Sequence, residues 1–280
     1  MKQIIIYFVF FFVYTLTITG ITTTYIYNKK FNAMAQNNFY QTPTQITNYT
    51  TYRNYDNRAC EVVNDFLDSN LYPYITTTFD RVNEFEQQVR GVDCTFLIEN
   101  YEYICDEKSA VKWANRTLNT FAIELEFINR AGKLHDGWFL ADNQINNSYN
   151  FIYTDSIRNS EGDFDYYHFS PDDIKESTAY IIKKDSLKNY LIAIGWTEEK
   201  LKEKCKEIRK TDGKCEMNYG EVRFFFSKQL LEKPINILVS RDLLSRLADF
   251  TYTYKKGDII VYNTEKQIFA KTNKNHIYLN

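Results

Sequence analysis

The stretch from Val92 to Lys108 alternates in the manner of a β-hairpin. Apolar side chains recur at every second position at Val92, Cys94, Phe96 and Ile98, and a second strand-like run extends from Tyr101 to Lys108. Asn100 lies between the two runs and is typical of a turn. Successive side chains of a strand point to opposite faces. The sequence therefore predicts two antiparallel strands with one apolar face.

This hairpin brings charged residues together. Asp106 and Lys108 project to the same side of the second strand, whereas Glu107 projects to the other side. With a turn near Asn100, Asp93 lies almost opposite Asp106 or Lys108, and cross-strand neighbours are about 4.5–5.5 Å apart. Two carboxylates and one lysine are therefore expected to converge.

Such a set suits the hydrolysis of a phosphodiester bond. Asp93 and Asp106 can hold Mg²⁺, with Mn²⁺ as the alternative ion, and a bound metal lowers the pKa of its water. Lys108 can orient that water or stabilise negative charge in the transition state. Two carboxylates without a cation would repel each other and raise one pKa, which the metal or the lysine offsets.

Gly91-x-Asp93 followed by Asp106-x-Lys108 resembles the signature of the PD-(D/E)XK, or restriction-endonuclease-like, nucleases. The resemblance covers roughly residues 55–190 and implies a mixed β-sheet flanked by helices. It also implies that Asp93 and Asp106 bind metal and that Lys108 is the catalytic lysine. Many members add an acid from the first helix, for which Glu61 is the matching position. The family's leading Pro is replaced by Val92.

Other candidates are less specific. Glu124 lies between Ile123 and Leu125 in a predicted strand, where a buried carboxylate needs a partner, so we expect it to support the site. Gln88 precedes the Gly-x-Asp motif and is a candidate for substrate contact. Trp138 is typical either of a core aromatic or of base stacking. His135 and Asp136 are most simply a satisfied surface pair.

A basic segment offers a second expected contact with substrate. Residues 183–214 contain ten Lys or Arg against six Asp or Glu, although the whole chain has a net charge of −2. In a helix starting at Thr197, an apolar stripe leaves Lys202, Lys206, Arg209 and Lys210 largely outward. This face fits contacts with phosphates, or equally a solvated helix whose acids precede its bases.

The order of elements predicts an α/β or α+β domain. A core-facing helix is expected over residues 56–69, capped by Asp56, with Cys60, Val63, Phe66 and Leu67 inward. Further strands are expected at 121–128, 149–154, 179–183, 222–226 and 235–239, and helices from Asp185, Thr197 and Ser240. The fold expected is α/β, with a restriction-endonuclease-like core in which a mixed β-sheet is flanked by helices.

The amino-terminal region has two interpretations. Residues 3–28 carry no charge, so residues 1–33 are either a hydrophobic leader or translated sequence upstream of a start at Met34. Residues 34–54 are expected to be a poorly ordered lead-in, and residues 55–280 a single nuclease-like domain with a C-terminal extension. Five cysteines without a CxxC pair favour a reduced, cytoplasmic chain, and Cys205 and Cys215 would bridge only after export.

These expectations converge on a metal-dependent nuclease that acts on nucleic acid, with DNA as the expected substrate. A cut across both strands of a duplex would favour a homodimer. One alternative is a binding protein, either exported or anchored in the membrane through residues 3–28, in which the acidic positions are only surface. Another is a module of the same fold that binds nucleic acid without cutting it.

Overall fold

The structure is a computed structural model of the full chain. It describes residues 43–115, 118–156, 169–210, 217–219, 222–255, 257–265, 267–273 and 276–279. The described residues from 51 onward form one compact unit. The expected leader, residues 1–33, lies outside the described residues.

The helices are α1 (Pro43–Asn70), α2 (Phe85–Gln88), α3 (Lys184–Ala193), α4 (Glu198–Lys210) and α5 (Arg241–Leu247). The strands are β1 (Phe79–Arg81), β2 (Cys94–Ile98), β3 (Tyr101–Ser109), β4 (Thr120–Ile128), β5 (Leu134–Asp136), β6 (Ser148–Ser156), β7 (Ile174–Lys183), β8 (Met217–Tyr219), β9 (Val222–Phe226), β10 (Ile235–Ser240), β11 (Phe250–Lys255), β12 (Asp258–Asn263), β13 (Ile268–Asn273) and β14 (His276–Leu279). Short 3₁₀ turns connect some of them at Tyr72–Tyr74, Val111–Trp113 and Pro171–Asp173.

The strands form two sheets. The larger has nine strands in the order β1-β2-β3-β6-β7-β11-β12-β13-β14, and the smaller has five in the order β5-β4-β10-β9-β8. In the larger sheet β3 and β6 are parallel, and the other described pairings are antiparallel. The larger sheet is therefore mixed and the smaller one antiparallel, which confirms a mixed α/β architecture with flanking helices. The expectation of a single sheet missed the second.

Two apolar clusters cover the two faces of the larger sheet. On one face, Ala59, Val63, Phe66 and Leu67 of α1 pack against strand residues such as Cys94 and Ile152. On the other face, Phe151, Tyr153 and Ile182 pack against the second sheet and against helices α3, α4 and α5. Burial of apolar side chains on both faces is what makes the larger sheet the central layer.

Helix α1 begins at Pro43, so its start differs from the expected one. Asp56 lies inside the helix instead of capping it. Residues 43–54 are therefore helical, whereas residues 34–42 of the expected lead-in lie outside the described residues. The inward positions are correct for Val63, Phe66 and Leu67, but Ala59 is buried in place of the half-buried Cys60. Residues 43–54 are polar and show no helical periodicity, so the sequence carries no signal for a helix there. Such a run can still extend the helix that the apolar positions of residues 56–69 predict.

Most other predicted elements are confirmed. The strand over 222–226 is observed with those bounds, and Ser240 caps α5 by accepting a hydrogen bond from the Leu243 N–H at 3.0 Å. The predictions missed the strands from β11 to β14, which the sequence analysis described only as a C-terminal extension. Strand β11 pairs with β7 and so continues the central sheet. Cys205 is a buried free thiol, and Cys215 lies outside the described residues.

Candidate functional site

The predicted hairpin is formed by β2 and β3. Cys94 lies opposite Cys105 and Ile98 opposite Tyr101, so the connection is the two residues Glu99 and Asn100. Glu99 takes the left-handed conformation, with φ of 55°. Asp93 comes directly before β2, and its N–H donates to the carbonyl oxygen of Cys105 at 2.9 Å. The hairpin therefore holds Asp93 beside the middle of β3.

Asp106 and Lys108 share the face of β3 that turns toward the second sheet, whereas Glu107 lies on the α1 face. Asp106 is 1% exposed, and its Oδ1 lies 2.6 Å from the Lys108 Nζ. The Asp93 carboxylate is close to that of Asp106, and its Oδ2 accepts the Glu107 N–H at 2.7 Å. The predicted convergence of two carboxylates and one lysine is confirmed.

The electrostatics of this cluster follow from its burial. Loss of water raises the pKa of Asp106 to about 7, which Lys108 opposes and the Asp93 carboxylate reinforces. Burial alone would lower the pKa of Lys108, but the charges of Asp106 and Asp93 outweigh it and raise that pKa. The second oxygen of Asp106, Oδ2, is buried and has no hydrogen-bond partner among the described residues. A buried acceptor without a partner costs free energy unless a donor or a cation reaches it.

Glu124 approaches this cluster from β4, in the other sheet. Burial raises its pKa to about 7, the Glu232 carboxylate adds to the effect, and Lys108 opposes it. Gly137 allows the next segment to lie directly on Glu124, because a Cβ at residue 137 would be 2.6 Å from the Glu124 carbonyl oxygen. Glu124 thus lies where its charge acts on Lys108.

A β-bulge explains the burial of Glu126. Glu126 pairs with Ile235, and Glu124 with Asn236, so Leu125 is the extra residue on β4. Leu125 and Glu126 are both buried as a result. Glu126 forms an ion pair with Arg209, which leaves Glu124 as the carboxylate of β4 that acts on Lys108, in addition to Asp106 and Asp93.

Three residues of this face were missed by the sequence analysis. Tyr149 lies opposite Asp106 in the parallel pair of β3 and β6. The Lys184 Nζ donates to the Asn146 Oδ1 at 3.2 Å and lies 5.9 Å from the centre of the Tyr149 ring. Burial and Lys188 lower the pKa of Lys184, while Asp106 opposes them. In the sequence, these three residues are marked only by lying at or near the ends of predicted strands and helices. Ordinary loop residues lie in such places too, so the sequence does not single them out.

The opposite face of β3 carries a second charged cluster. Glu107 accepts from Tyr72 and Arg81, and Arg81 also pairs with Asp68 of α1. Glu61 is exposed. Because α1 covers the Glu107 face, the helix carboxylate that reaches the sheet is Asp68, and it acts through Arg81 on the side away from Asp106. The helix acid implied by the family resemblance therefore does not join Asp93 and Asp106.

The expected substrate contacts lie in different places. The Gln88 Nε2 donates to the Val82 carbonyl oxygen at 3.0 Å, and Lys206 is exposed. The Lys202 Nζ pairs with the Asp136 Oδ2 at 2.7 Å. The expectation that Arg209 points outward is wrong, because its side chain is 17% exposed, pairs with Glu126 and lies over the Phe226 ring. The buried Glu126 draws that guanidinium inward.

The aromatic and histidine candidates have structural surroundings. Trp138 packs against the rings of Tyr149 and Phe151, and the Lys108 Nζ lies 5.0 Å from the centre of its indole ring. It therefore belongs to the core and helps to cover the Lys108 ammonium group. His135 is exposed, stacks on Phe127 and hydrogen bonds to Asn129, which confirms a satisfied surface histidine.

No protein-family model, no curated protein and no solved structure matches this chain. Among the residues that the structure describes, three or more His, Cys, Asp or Glu side chains do not gather as a metal-binding group. Within the same residues, none of the helices has the length and apolar character needed to cross a membrane.

Proposed function

We propose that this protein is a metal-dependent nuclease that hydrolyses phosphodiester bonds, with DNA as the expected substrate. The observation that carries the proposal is the buried Asp106 carboxyl group. One of its oxygens is held by Lys108, the other has no partner among the described residues, and the Asp93 carboxylate lies beside it. A lysine and two carboxylates on one face of a hairpin form the minimal set for this chemistry.

The cluster fits a divalent ion. Mg²⁺ is commonly bound through one or two carboxylates while it keeps several waters, so a protein group of three ligands is not required. Asp93 and Asp106 would hold Mg²⁺ or Mn²⁺, which when bound supplies an activated water at neutral pH. The unpartnered Asp106 Oδ2 and the repulsion between two adjacent carboxylates are the features that such an ion would satisfy.

The chain's own residues supply the remaining functions. Lys108 stays protonated at neutral pH and can donate to a phosphate oxygen or to the attacking water. Glu124, with a pKa of about 7, can accept or release a proton in the physiological range. Lys184 adds a second cation to the face that carries Asp106.

Binding of a polyanion relies on local charge, because the net charge of the chain is −2. Lys206 and Lys210 remain exposed on α4 and are the residues of the basic helix that we propose for contact with the phosphate backbone. Lys202 would contribute only if its pairing with Asp136 opened, and Arg209 supports the fold through Glu126. Gln88 would act, through its exposed position, at the edge of the Asp93 site.

The test is a cleavage assay with the full chain. Plasmid, linear duplex and single-stranded DNA and an RNA are each incubated with Mg²⁺, Mn²⁺ or EDTA. We expect cleavage that requires a divalent ion and that falls by at least about 100-fold in Asp106→Asn and in Lys108→Met, since each removes a group that acts on the reacting phosphate. Asp142→Asn and Lys175→Met remove exposed charges and serve as matched controls.

Several outcomes would contradict the proposal. If the folded wild-type protein cuts none of these substrates, or if Asp106→Asn cuts as fast as the wild type, the cluster is not a nuclease site. Salt-dependent binding without cleavage would instead identify a catalytically silent module of the same fold.

A further inference from the structure

A cavity of about 210 Å³ lies outside the Asp106 cluster. The cavity is formed where the ends of β3 and β6 meet the start of β7 and the first residue of α5. Its lining includes Trp113, Tyr153, Asp155, Glu176, Thr178 and Arg241. Ala110, which is part of the lining, comes two residues after Lys108 in the chain. The cavity therefore lies past the point where Lys108 pairs with Phe151 of β6.

The charged groups of this lining are unequally satisfied. The Asp155 Oδ1 accepts the Asn115 N–H at 2.8 Å, and the Glu176 Oε1 pairs with the Lys255 Nζ at 2.8 Å. Arg241, by contrast, has no ion-pair partner among the described residues, and its guanidinium carbon lies 4.3 Å from the centre of the Tyr153 ring. The two carboxylates are therefore engaged, and the one guanidinium of the lining is left with its donors available.

The surroundings of Arg241 hold that guanidinium in place. Its backbone N–H donates to the Asn119 carbonyl oxygen at 2.9 Å, which fixes the start of α5. The face of the Tyr153 ring supports the guanidinium from one side. The hydroxyl of Tyr153 is buried and has no hydrogen-bond partner among the described residues, and burial raises its pKa. Because that hydroxyl has no exposed surface, the fixed Arg241 guanidinium is the charged donor that borders the cavity.

We propose that this cavity binds a small molecule through an oxyanion group, a phosphate or a carboxylate, held by Arg241. A planar guanidinium with its five donors matches both groups, and bonds to such anions are among the stronger hydrogen bonds. The cavity volume limits the ligand to one about the size of a small metabolite. This site is independent of the proposed nuclease activity.

The experiment is a calorimetric titration of the full-length protein at low ionic strength. Inorganic phosphate and acetate are titrated separately, with sodium chloride at matched ionic strength as the control for screening. We expect saturable binding of phosphate, of acetate or of both, and the stronger of the two identifies the anion chemistry. Arg241→Gln should weaken that binding by at least about tenfold, because it removes hydrogen bonds from a charged donor. Arg246→Gln, which alters an exposed arginine of the same helix, should leave it unchanged.

A further variant keeps the result decisive. If Arg241→Gln does not fold, Arg241→Lys keeps the positive charge but loses the planar set of donors, and it should still weaken binding measurably. The proposal is overturned if neither anion binds saturably to the wild type, if sodium chloride produces the same heats, or if binding persists undiminished in Arg241→Gln or, where that variant does not fold, in Arg241→Lys. Because no cleavage is measured, failure of this site and failure of the nuclease proposal are separate results.

Discussion

At Asp106, a carboxyl group that is 1% exposed lies beside a second carboxylate and one ammonium group. Burial disfavours its ionised form, and its pKa of about 7 is therefore far above that of the unfolded chain. The native state consequently holds a proton on this group over a range of pH in which the unfolded chain has lost it. This residue couples the stability of the fold to pH.

Asp106→Asn is expected to change the pH profile of stability. Between about pH 4 and pH 7 the native state of the wild type binds more protons than the unfolded state does, so its free energy of unfolding falls as the pH rises. The fall attributable to Asp106 is at most about 4 kcal/mol, and it is absent in the variant. Urea unfolding at intervals from pH 4 to pH 8 measures the difference between the two proteins. Parallel profiles would show that Asp106 titrates normally.

Lys108→Met is expected to destabilise the protein more at pH 8 than at pH 5. At pH 8 the variant buries an Asp106 carboxylate without its cation, and breaking a buried pair in this way costs about 3–5 kcal/mol. At pH 5 Asp106 is protonated and the loss is smaller. The double variant Asp106→Asn/Lys108→Met should recover part of the loss at pH 8. Equal destabilisation at both pH values would exclude this coupling.

Strand β3 carries charged side chains on both faces. On the face covered by α1, Arg81 of β1 connects its own strand to α1 and to β3. Arg81 lies on β1, pairs with Asp68 of α1 and with Glu107 of β3, and its guanidinium also lies near the Tyr72 ring. The Glu107 side chain is 2% exposed, so this cluster depends on its arginine. The attachment of α1 to the larger sheet is therefore partly polar.

Arg81→Met is expected to lower the free energy of unfolding by about 3–5 kcal/mol, because Glu107 is left buried without its cation. Arg58→Met alters an exposed arginine of α1 and should change stability by less than about 0.5 kcal/mol. Chemical denaturation at pH 7 compares the two. Similar values for both variants would show that the Arg81 cluster contributes no more than a surface charge does.

The contact between Gly137 and β4 leads to a prediction about the position of Glu124. In Gly137→Ala the new Cβ would lie 2.6 Å from the Glu124 carbonyl oxygen, so one of the two segments must move. We expect a loss of about 1–3 kcal/mol, as for other overpacked sites, and a change in the pKa of Glu124. Gly132→Ala is the control, since a Cβ there has no atom within 4 Å, although its φ of 74° adds a backbone cost. NMR titration of the Glu124 carboxyl group measures the shift.

At the scale of the whole molecule, the two sheets share one apolar core. Phe151 of the larger sheet lies 4.9 Å, centre to centre, from the Phe121 ring of the smaller sheet, and Trp138 packs against both Tyr149 and Phe151. The described part of the chain from residue 51 is compact as one unit. Sheets that share a core are expected to unfold together.

Phe151→Ala should therefore destabilise both sheets, by about 3–5 kcal/mol in a single transition. Far-UV circular dichroism and tryptophan fluorescence should report the same midpoint in urea. Leu97→Ala, at an exposed position of β2, is the control and should have little effect. Separate midpoints for the two probes would show that the sheets unfold independently.

Much of the hairpin was predictable from the sequence because its causes are local. The alternation around Asn100 sets the strand pair, and the two-residue period alone separates Asp106 and Lys108 from Glu107. A different local rule, the helical period of about 3.6 residues, identified the inward face of α1 at Val63, Phe66 and Leu67. Residues whose position depends on their immediate neighbours were thus predicted correctly.

Other features were decided only by the tertiary structure, because they depend on partners that are distant in the chain. Arg209 turns inward because Glu126 is buried beside it, and Glu124 acts on Lys108 from a separate sheet. Asp68, not Glu61, reaches the sheet because α1 covers the Glu107 face. Arg241 and Tyr153 meet across 88 residues at the edge of the cavity. The sequence by itself determined which face of a strand each charge occupies, and packing between elements decided which charges meet.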